Sequence, residues 1–527
     1  MAFLKARISQ HQPDDISSGF ILRDEGGYYT LESKGSTSLQ LSKRAAYPVT
    51  YAHQTQGGAF VCGYGQYDPS PNDEFLQIII NPQGHVRIQR DAFATLPLFY
   101  ACTPDELIIS NDYGYVFSAL PSKTLNLRGV LSSLLPNTAD RDSLWSEISV
   151  LGERQVLEWF EGKMVVHQPK ARGWSSSPQA EESDPADFKR ILDGHFSSIL
   201  ENVVTRNSLG FEASGGLDSA TLPLYCAPFL KYSDVPIFSI VYPGDFGTSQ
   251  LEKLESLAST TGLELHTVFA DPATMYPLAR MIQGRAPYVH TSTEEIYTEP
   301  IARMVQEMAA RHISVVGTGL GGDDIFENRL SSEQQLAYGH VERRRRRMLH
   351  YPEFYTAAFR AAYIESTLEV PSYPLPLLPV SLSGQPNTHN NIYIERGIWP
   401  VSAYADPELY RFCQGLPAHF RANKNILRAY HSAYGFPEAI YNPRQNEHFG
   451  PFFIESLSSG RYDDIIYSLA SNALTAELGY VDLDMMLVTY EQCKANLADK
   501  MQLYYVFLWI GTEINLQIGT GRFKYSA

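Results

Sequence analysis

Positive charge is scarce in this chain of 527 residues: 42 Lys and Arg against 58 Asp and Glu leave a formal net charge of −16. A surface of that sign lacks the broad basic face that non-specific nucleic-acid binding needs, so no nucleic-acid partner is expected and any phosphate site has to be locally basic. Cysteine is scarce too. The five present, Cys62, Cys102, Cys226, Cys413 and Cys493, are scattered and form no CxxC pair. That argues against a disulfide framework or a zinc knuckle and for a reducing cytoplasm. Long apolar runs are missing as well. The N-terminus MAFLKARISQHQPDD has no signal-peptide core, and the run LYYVFLWI, Leu503 to Ile510, is far too short to span a bilayer. A soluble cytoplasmic protein with no membrane partner is the expectation.

What is present is globular. Hydrophobic residues make up 44%, aromatics 12% and charged residues 19%, a composition that buries a core. The length calls for two to four domains. From residue 1 to about 170, short alternating segments such as GGAFVCGYG are broken by Gly, Pro and Asn, the pattern of an antiparallel β-rich domain, and INPQGHVRI reads as a hairpin. GWSSSPQAEESDPADF, Gly173 to Phe188, is rich in Ser, Pro and acid and reads as a linker.

Beyond it, helical patterns alternate with short β-like runs (SLGFEA, VPIFSIVYP, LELHTVFA, HISVVGTG), which predicts a parallel sheet with crossover helices. After about residue 330 the pattern is mostly helical, with few strand signals. The chain is thus read as α/β, with a β-rich domain over 1–172, a linker over 173–188 and a parallel-sheet domain with a helical extension over 189–527. The charge run Arg343 to Arg347 reads either as a solvated helix face or as a basic patch for an anionic substrate.

The stretch FEASGGLDSATLP, Phe211 to Pro223, puts a Gly-rich corner between a strand and a helix. Free backbone N–H groups and the positive end of a helix dipole meet there, which favours an anion. Gly215 and Gly216 let the backbone approach phosphate, Ser214 and Ser219 offer hydroxyl donors, and Asp218 suits a magnesium ion bridging phosphate oxygens. Pro223 is tolerable if the helix begins near Asp218 or Ser219, which places its start in this loop. The Walker pattern is absent. A second Gly-rich segment, GTGLGGDDIFEN from Gly317 to Asn328, brings Gly319, Gly321 and Asp323 to the same end of the sheet, where Asp218 and Asp323 would share the metal. The alternative for Asp323 is a first-turn acid at a helix start.

SGGLDS resembles the PP-loop of the ATP pyrophosphatase superfamily. With the second segment, about 105 residues on, and with ERGIWPVSAYADPELYRFCQGLP and RANKNILRAYHSAYGFPEAIYNPRQNEHF, the stretch from about 205 to 450 resembles the synthetase domain of the asparagine synthetase family. That resemblance implies ATP and Mg2+ as cofactors, with Ser214, Gly215, Gly216, Asp218, Ser219, Gly319, Gly321, Lys424 and Arg428 at the nucleotide and Asp218 and Asp323 on the metal. RDAFATLPLFY and IISNDYGYVFSAL are similar to parts of the family's glutaminase domain, which implies that the β-rich domain is a degenerate one.

Three departures narrow the reading. Ala2 stands where the family's glutaminase has its cysteine, so glutamine hydrolysis by that route is excluded. The chain therefore resembles the glutaminase-less branch, in which a substrate carboxylate becomes an acyl-adenylate and an amine displaces AMP. Leu320 replaces the acid–base tyrosine of β-lactam and carbapenam synthetases, whereas GLGGD is similar to lasso-peptide cyclases, which close a peptide macrolactam. That favours a peptide over a small carboxylate as substrate and implies a leader-binding protein and a protease as partners. The family's adenylation lysine is replaced at Asn446, so either Lys424, Arg428 or Arg444 supplies its charge or the enzyme is slow or inactive, and Glu395 and His448 are the candidate bases. Competing readings are a β-lactam-type or intermolecular ligase, a tRNA-modifying PP-loop enzyme, and a nucleotide-binding scaffold without turnover.

Overall fold

The computed structural model describes residues 4–9, 21–25, 28–32, 38–42, 50–55, 59–64, 75–91, 95–135, 143–167, 183–204, 208–230, 234–326, 351–368, 389–442, 450–497 and 500–523. Ala2, the run Arg343 to Arg347, and Arg444, Gln445, Asn446 and His448 lie outside them. So does the predicted linker as far as residue 182. From its last part, Pro185–Asp187 forms a helical turn and α3 begins at Phe188.

Strands β1 (Leu4–Ser9), β2 (Ile21–Glu25), β3 (Tyr28–Glu32), β4 (Ser38–Ser42), β9 (Phe99–Cys102), β10 (Glu106–Ser110) and β11 (Ile148–Val150) form one antiparallel sheet in the order β11-β9-β10-β1-β4-β3-β2. Strands β5 (Thr50–Gln54), β6 (Phe60–Tyr64), β7 (Leu76–Ile80), β8 (Val86–Arg90), β12 (Val156–Phe160) and β13 (Lys163–His167) form a second, ordered β13-β12-β8-β7-β6-β5. Alternation sets the faces: Leu76, Ile78, Ile80, Val86 and Ile88 point inward while Arg87 faces solvent. Inward residues of both sheets share one core. The predicted hairpin is present, its turn held by Asn81, whose side-chain oxygen accepts from the N–H groups of Gln83 and His85 at 3.1 and 2.8 Å. Helices α1 (Tyr113–Ala119) and α2 (Leu127–Ser133) follow β10.

The C-terminal half holds a five-stranded parallel sheet of β14 (Leu209–Glu212), β15 (Ile237–Val241), β16 (Leu265–Phe269), β17 (Val315–Thr318) and β18 (Trp399–Ser402), in the order β16-β15-β14-β17-β18. Around it run α3 (Phe188–Val204), α4 (Leu217–Cys226), α5 (Asp245–Thr261), α6 (Ala279–Ile282), α7 (Ser292–Ala310) and α8 (Gly322–Phe326). The chain steps from β14 to β15 to β16 and then returns to β17 on the far side of β14. The loops after β14 and β17 therefore face each other across the switch in strand order, where open α/β sheets bind ligands.

Two expectations change. The region after residue 330 contributes a strand, β18, which the helical reading missed; its Pro400 is tolerated because β18 is an edge strand and no ladder bond is lost there. Helix α4 does start in the predicted loop, but Pro223 sits in its second turn and not its first. The helix tolerates it by ending soon after, at Cys226.

The halves share a core. Phe117 of α1 stacks on Tyr288 with centroids 4.2 Å apart, and Thr512 of the helix Lys500–Gly519 donates to the Ser133 carbonyl at 3.2 Å. The apolar run near the C-terminus is thereby spent on packing: Leu503 and Tyr505 through Ile510 are buried. No helix among the described residues is long and apolar enough to cross a membrane. All five thiols are free.

Candidate active site

A cavity of about 1050 Å³ opens where the loops after β14 and β17 meet. Ser214, Gly215, Gly216, Asp218 and Ser219 line it from the first loop, Gly319, Leu320 and Asp323 from the second, and Lys424 and Arg428 from the helical extension. Gly321 belongs to the turn leading into α8.

The first loop is built from its glycines and serines. Gly215 has φ +83°, a conformation that side chains rarely adopt. Gly216 is the N-cap of α4, and no side chain caps that helix, so its leading N–H groups face the cavity. Ser219 Oγ accepts from Ser214 N at 3.0 Å and lies 3.1 Å from Ser214 Oγ, which fixes the curl of the loop. Gln250 of α5 anchors it from below, donating to the carbonyls of Ser214 and Ile240 at 2.9 and 2.8 Å. The second loop packs directly on the first. A Cβ at Gly319 would fall 2.5 Å from Ser219 N, and one at Gly322 would fall 2.3 Å from Asp218 Cγ.

Lys424 ties the two loops. Its ammonium pairs with Asp218 Oδ2 and lies 2.5 Å from Asp323 Oδ1. Asp323 is mostly exposed, Asp218 mostly buried. Burial pushes the Asp218 carboxyl up to about 6, against the pull of Lys424. Burial alone would lower Lys424, but the two carboxylates hold it above the ordinary lysine range. Asn423 and Lys424 are consecutive non-glycine residues in the left-handed region, with φ +51° and +56°, a backbone cost of order 1–3 kcal/mol each that clusters at functional sites. Arg428 braces this bend, donating from Nε to the Asn423 carbonyl at 2.8 Å and from Nη1 to the Tyr441 carbonyl.

The remaining candidates divide. Glu395 does not join this cavity. It is exposed and lines a second one of about 540 Å³ between the two halves, bordered by Lys5, Tyr113, Arg280 and Tyr288, so the structure does not bring it to the glycine loops as a base. Two residues the sequence reading did not single out do line the first cavity: Glu212, at the carboxyl end of β14, and Tyr393, on the short helix His389–Ile394. Tyr393 donates to Glu212 Oε2 at 2.6 Å, and burial holds its phenol well above the usual range, so it stays protonated. The available signal was an acid two residues before Ser214, closing an otherwise apolar strand. Lys253 and Arg421 also line the cavity, giving it the local basic character an acidic protein needs for phosphate.

Among the described residues no three His, Cys, Asp or Glu side chains gather into a metal cluster. A magnesium ion fits the site nonetheless: Asp218 Oδ1 is buried with no hydrogen-bond partner, and two carboxylates with phosphate oxygens and water form the hard-oxygen set magnesium prefers.

The fold is mixed α/β, an antiparallel β-rich half beside a parallel sheet with helices, and the candidate site lies at the carboxyl ends of that parallel sheet. Residues 197–373, which carry both glycine loops, match the family model described as Asparagine synthase, and this supports the asparagine synthetase family for that region. No curated protein matches the chain. Among solved structures the chain is similar to NMN synthetase from Francisella tularensis at 13% identity, over 50% of this chain and 99% of that one, with a TM-score of 0.18, too loose a superposition to carry an argument.

Proposed function

We propose that the chain is an ATP- and magnesium-dependent ligase that activates a carboxylate as an acyl-adenylate and joins it to an amine without hydrolysing glutamine. The observation that carries this reading is the pairing of an uncapped, Gly-rich helix start with Asp218 and Asp323 across Lys424, at the carboxyl ends of adjacent parallel strands. Asp218 and Asp323 would hold magnesium, which when bound neutralises phosphate charge. The loop N–H groups of α4 grip phosphate oxygens, and Lys253, Arg421, Lys424 and Arg428 surround them with positive charge.

Glu212 is the group to accept the amine proton, held by the Tyr393 hydroxyl. As the amine nitrogen bonds to the acyl carbon, the bond to AMP breaks and the proton leaves toward the Glu212 carboxylate. The cavity, at the upper end of the usual range for ligand pockets, leaves room beside a nucleotide for part of a second substrate. That room admits part of a peptide, and the similarity of GLGGD to lasso-peptide cyclases is what supports a macrolactam-forming substrate with a leader-binding protein and a protease as accompanying partners.

The test is pyrophosphate against orthophosphate release from Mg·ATP across linear peptides with a free N-terminus and an internal Asp or Glu, and across small amino acids. Pyrophosphate with AMP, and a product lighter than the peptide by one water, is the expected result. Release with small amino acids alone would replace the macrolactam reading by a small-substrate ligase, and no release with any of them would leave a nucleotide-binding scaffold.

A further inference from the structure

The two acids that would hold magnesium already have a cation. Lys424 Nζ sits between Asp218 of the first loop and Asp323 of the second, side chains about 105 positions apart in sequence. The chain goes to some length to put it there. Two successive left-handed residues, Asn423 and Lys424, turn the backbone so that the lysine, at the N-cap of the helix Asn425–Ala433, faces the gap. Arg428 holds the bend by the Asn423 carbonyl. The Asp218 oxygen that Lys424 leaves over, Oδ1, is buried without a partner.

We infer that Lys424 is a resident counter-ion of the metal site, so that the Asp218–Asp323 pair admits a divalent cation only together with ATP. The inference rests on the reading of these acids as metal ligands and deepens it. Magnesium binds carboxylate oxygens at roughly 2.0–2.1 Å, and an ammonium held by the same two carboxylates repels it at a distance where charges interact strongly. Metal alone has to displace the lysine from both carboxylates. Metal carried by ATP brings phosphate oxygens, and Lys424, which lines the same cavity as the glycine loop, has a new partner within it. Coupling of this kind is reciprocal: ATP raises the affinity for metal by the same factor as metal raises the affinity for ATP.

The probe is Mn2+, counted as free ion by its paramagnetic resonance signal, titrated into the full chain without ATP and, with ATP, against a protein-free Mn·ATP reference that accounts for chelation by the nucleotide. The variants are Lys424→Met, Asp218→Asn and the two combined. Wild type should bind nucleotide-free Mn2+ weakly, and Lys424→Met should bind one ion more tightly by about tenfold or more. The double variant should lose that gain.

Equal or weaker nucleotide-free binding by Lys424→Met overturns the inference. A measurement on wild type alone guards against a misfolded variant: Mn2+ without ATP should leave the unfolding temperature unmoved while Mn2+ with ATP raises it, and a full rise with Mn2+ alone overturns the inference. Failure of the underlying reading looks different. There, neither wild type nor Lys424→Met binds Mn2+ with ATP present, and Asp218→Asn changes nothing.

Discussion

The Tyr393 hydroxyl donates to Glu212 Oε2 across 2.6 Å, joining the short helix His389–Ile394 to the carboxyl end of β14 just before the glycine loop. Because the phenol keeps its proton, the carboxylate is the member of the pair able to take another. Glu212→Gln should therefore spare pyrophosphate release and lower amide formation by about 100-fold or more, the usual worth of a positioned base. Tyr393→Phe should lower amide formation less. Product formation by mass, set beside pyrophosphate release with the same carboxylate, checks it; parallel loss of both steps would move Glu212 to the adenylation side.

Asp218→Ala removes the buried half of the acid pair. Pyrophosphate release should fall by about 100-fold or more, the size of losing a preorganised electrostatic group, while circular dichroism stays that of the wild type. Unchanged turnover would refute the metal role of Asp218.

Gly322→Ala tests the contact between the loops. Its Cβ would fall 2.3 Å from Asp218 Cγ, so the carboxyl group or the α8 backbone has to shift. Overpacking of this kind costs about 1–3 kcal/mol, and nucleotide affinity should fall with it. Calorimetric titration with Mg·ATP, together with thermal unfolding, measures both.

The site was legible in the sequence where local chemistry writes it. SGGLDS points to a curled loop at a helix start because its glycines free the backbone and its serines and aspartate suit a helix N-terminus, and GLGGDD repeats the cue. What sequence could not give is which distant side chains enter the cavity. Glu395 looked like a base because of its neighbours in sequence, yet it opens onto the other cavity, while Tyr393, two residues before it, faces this one. Tyr393 lies on the helix and Glu395 in the turn just after it, and side chains two positions apart there point to different sides. Strand β18 was hidden for a related reason: WPVS is short and contains a proline, and only its place at the sheet edge beside β17 makes it a strand.

His431 lies beneath the loop and ties stability to pH. Its Nε2 is 2.9 Å from Thr221 Oγ1, whose own proton goes to the Leu217 carbonyl, so the imidazole donates and its buried Nδ1 has no partner. Burial, with Arg428 adding to it, lowers His431 from 6.5 to about 3. Between those values the unfolded chain binds a proton that the folded one does not. Stability is then full above the unfolded value and lost as pH falls below it, by up to about 1.4 kcal/mol per pH unit. His431→Gln should flatten that slope in urea unfolding between pH 6.5 and 4.5; an unaltered slope would mean the ring titrates freely.

The β-rich half is hydrogen-bonded to the helix that carries Tyr393. Asn391 exchanges amide hydrogen bonds with Asn111, its Oδ1 accepting from Asn111 Nδ2 at 2.9 Å and its Nδ2 donating to the Asn111 carbonyl at 2.5 Å. Asn111 Oδ1 in turn accepts from the Leu4 N–H at 2.7 Å, and Asn390 donates to the Thr95 carbonyl at 2.9 Å. The helix that carries Tyr393 is thus bonded to the segments before β9 and after β10 and, through Asn111, linked to β1. Asn391→Ala leaves the buried Asn111 amide short of an acceptor, which costs about 1–3 kcal/mol, and loosens the wall on which Tyr393 stands. Unfolding should shift by that amount. If the β-rich half serves as the brace of the amine side of the site, amide formation falls further than pyrophosphate release, and Asn391→Gln recovers little because its longer arm misplaces the pair; an equal fall in both steps would reduce the contact to one of stability alone.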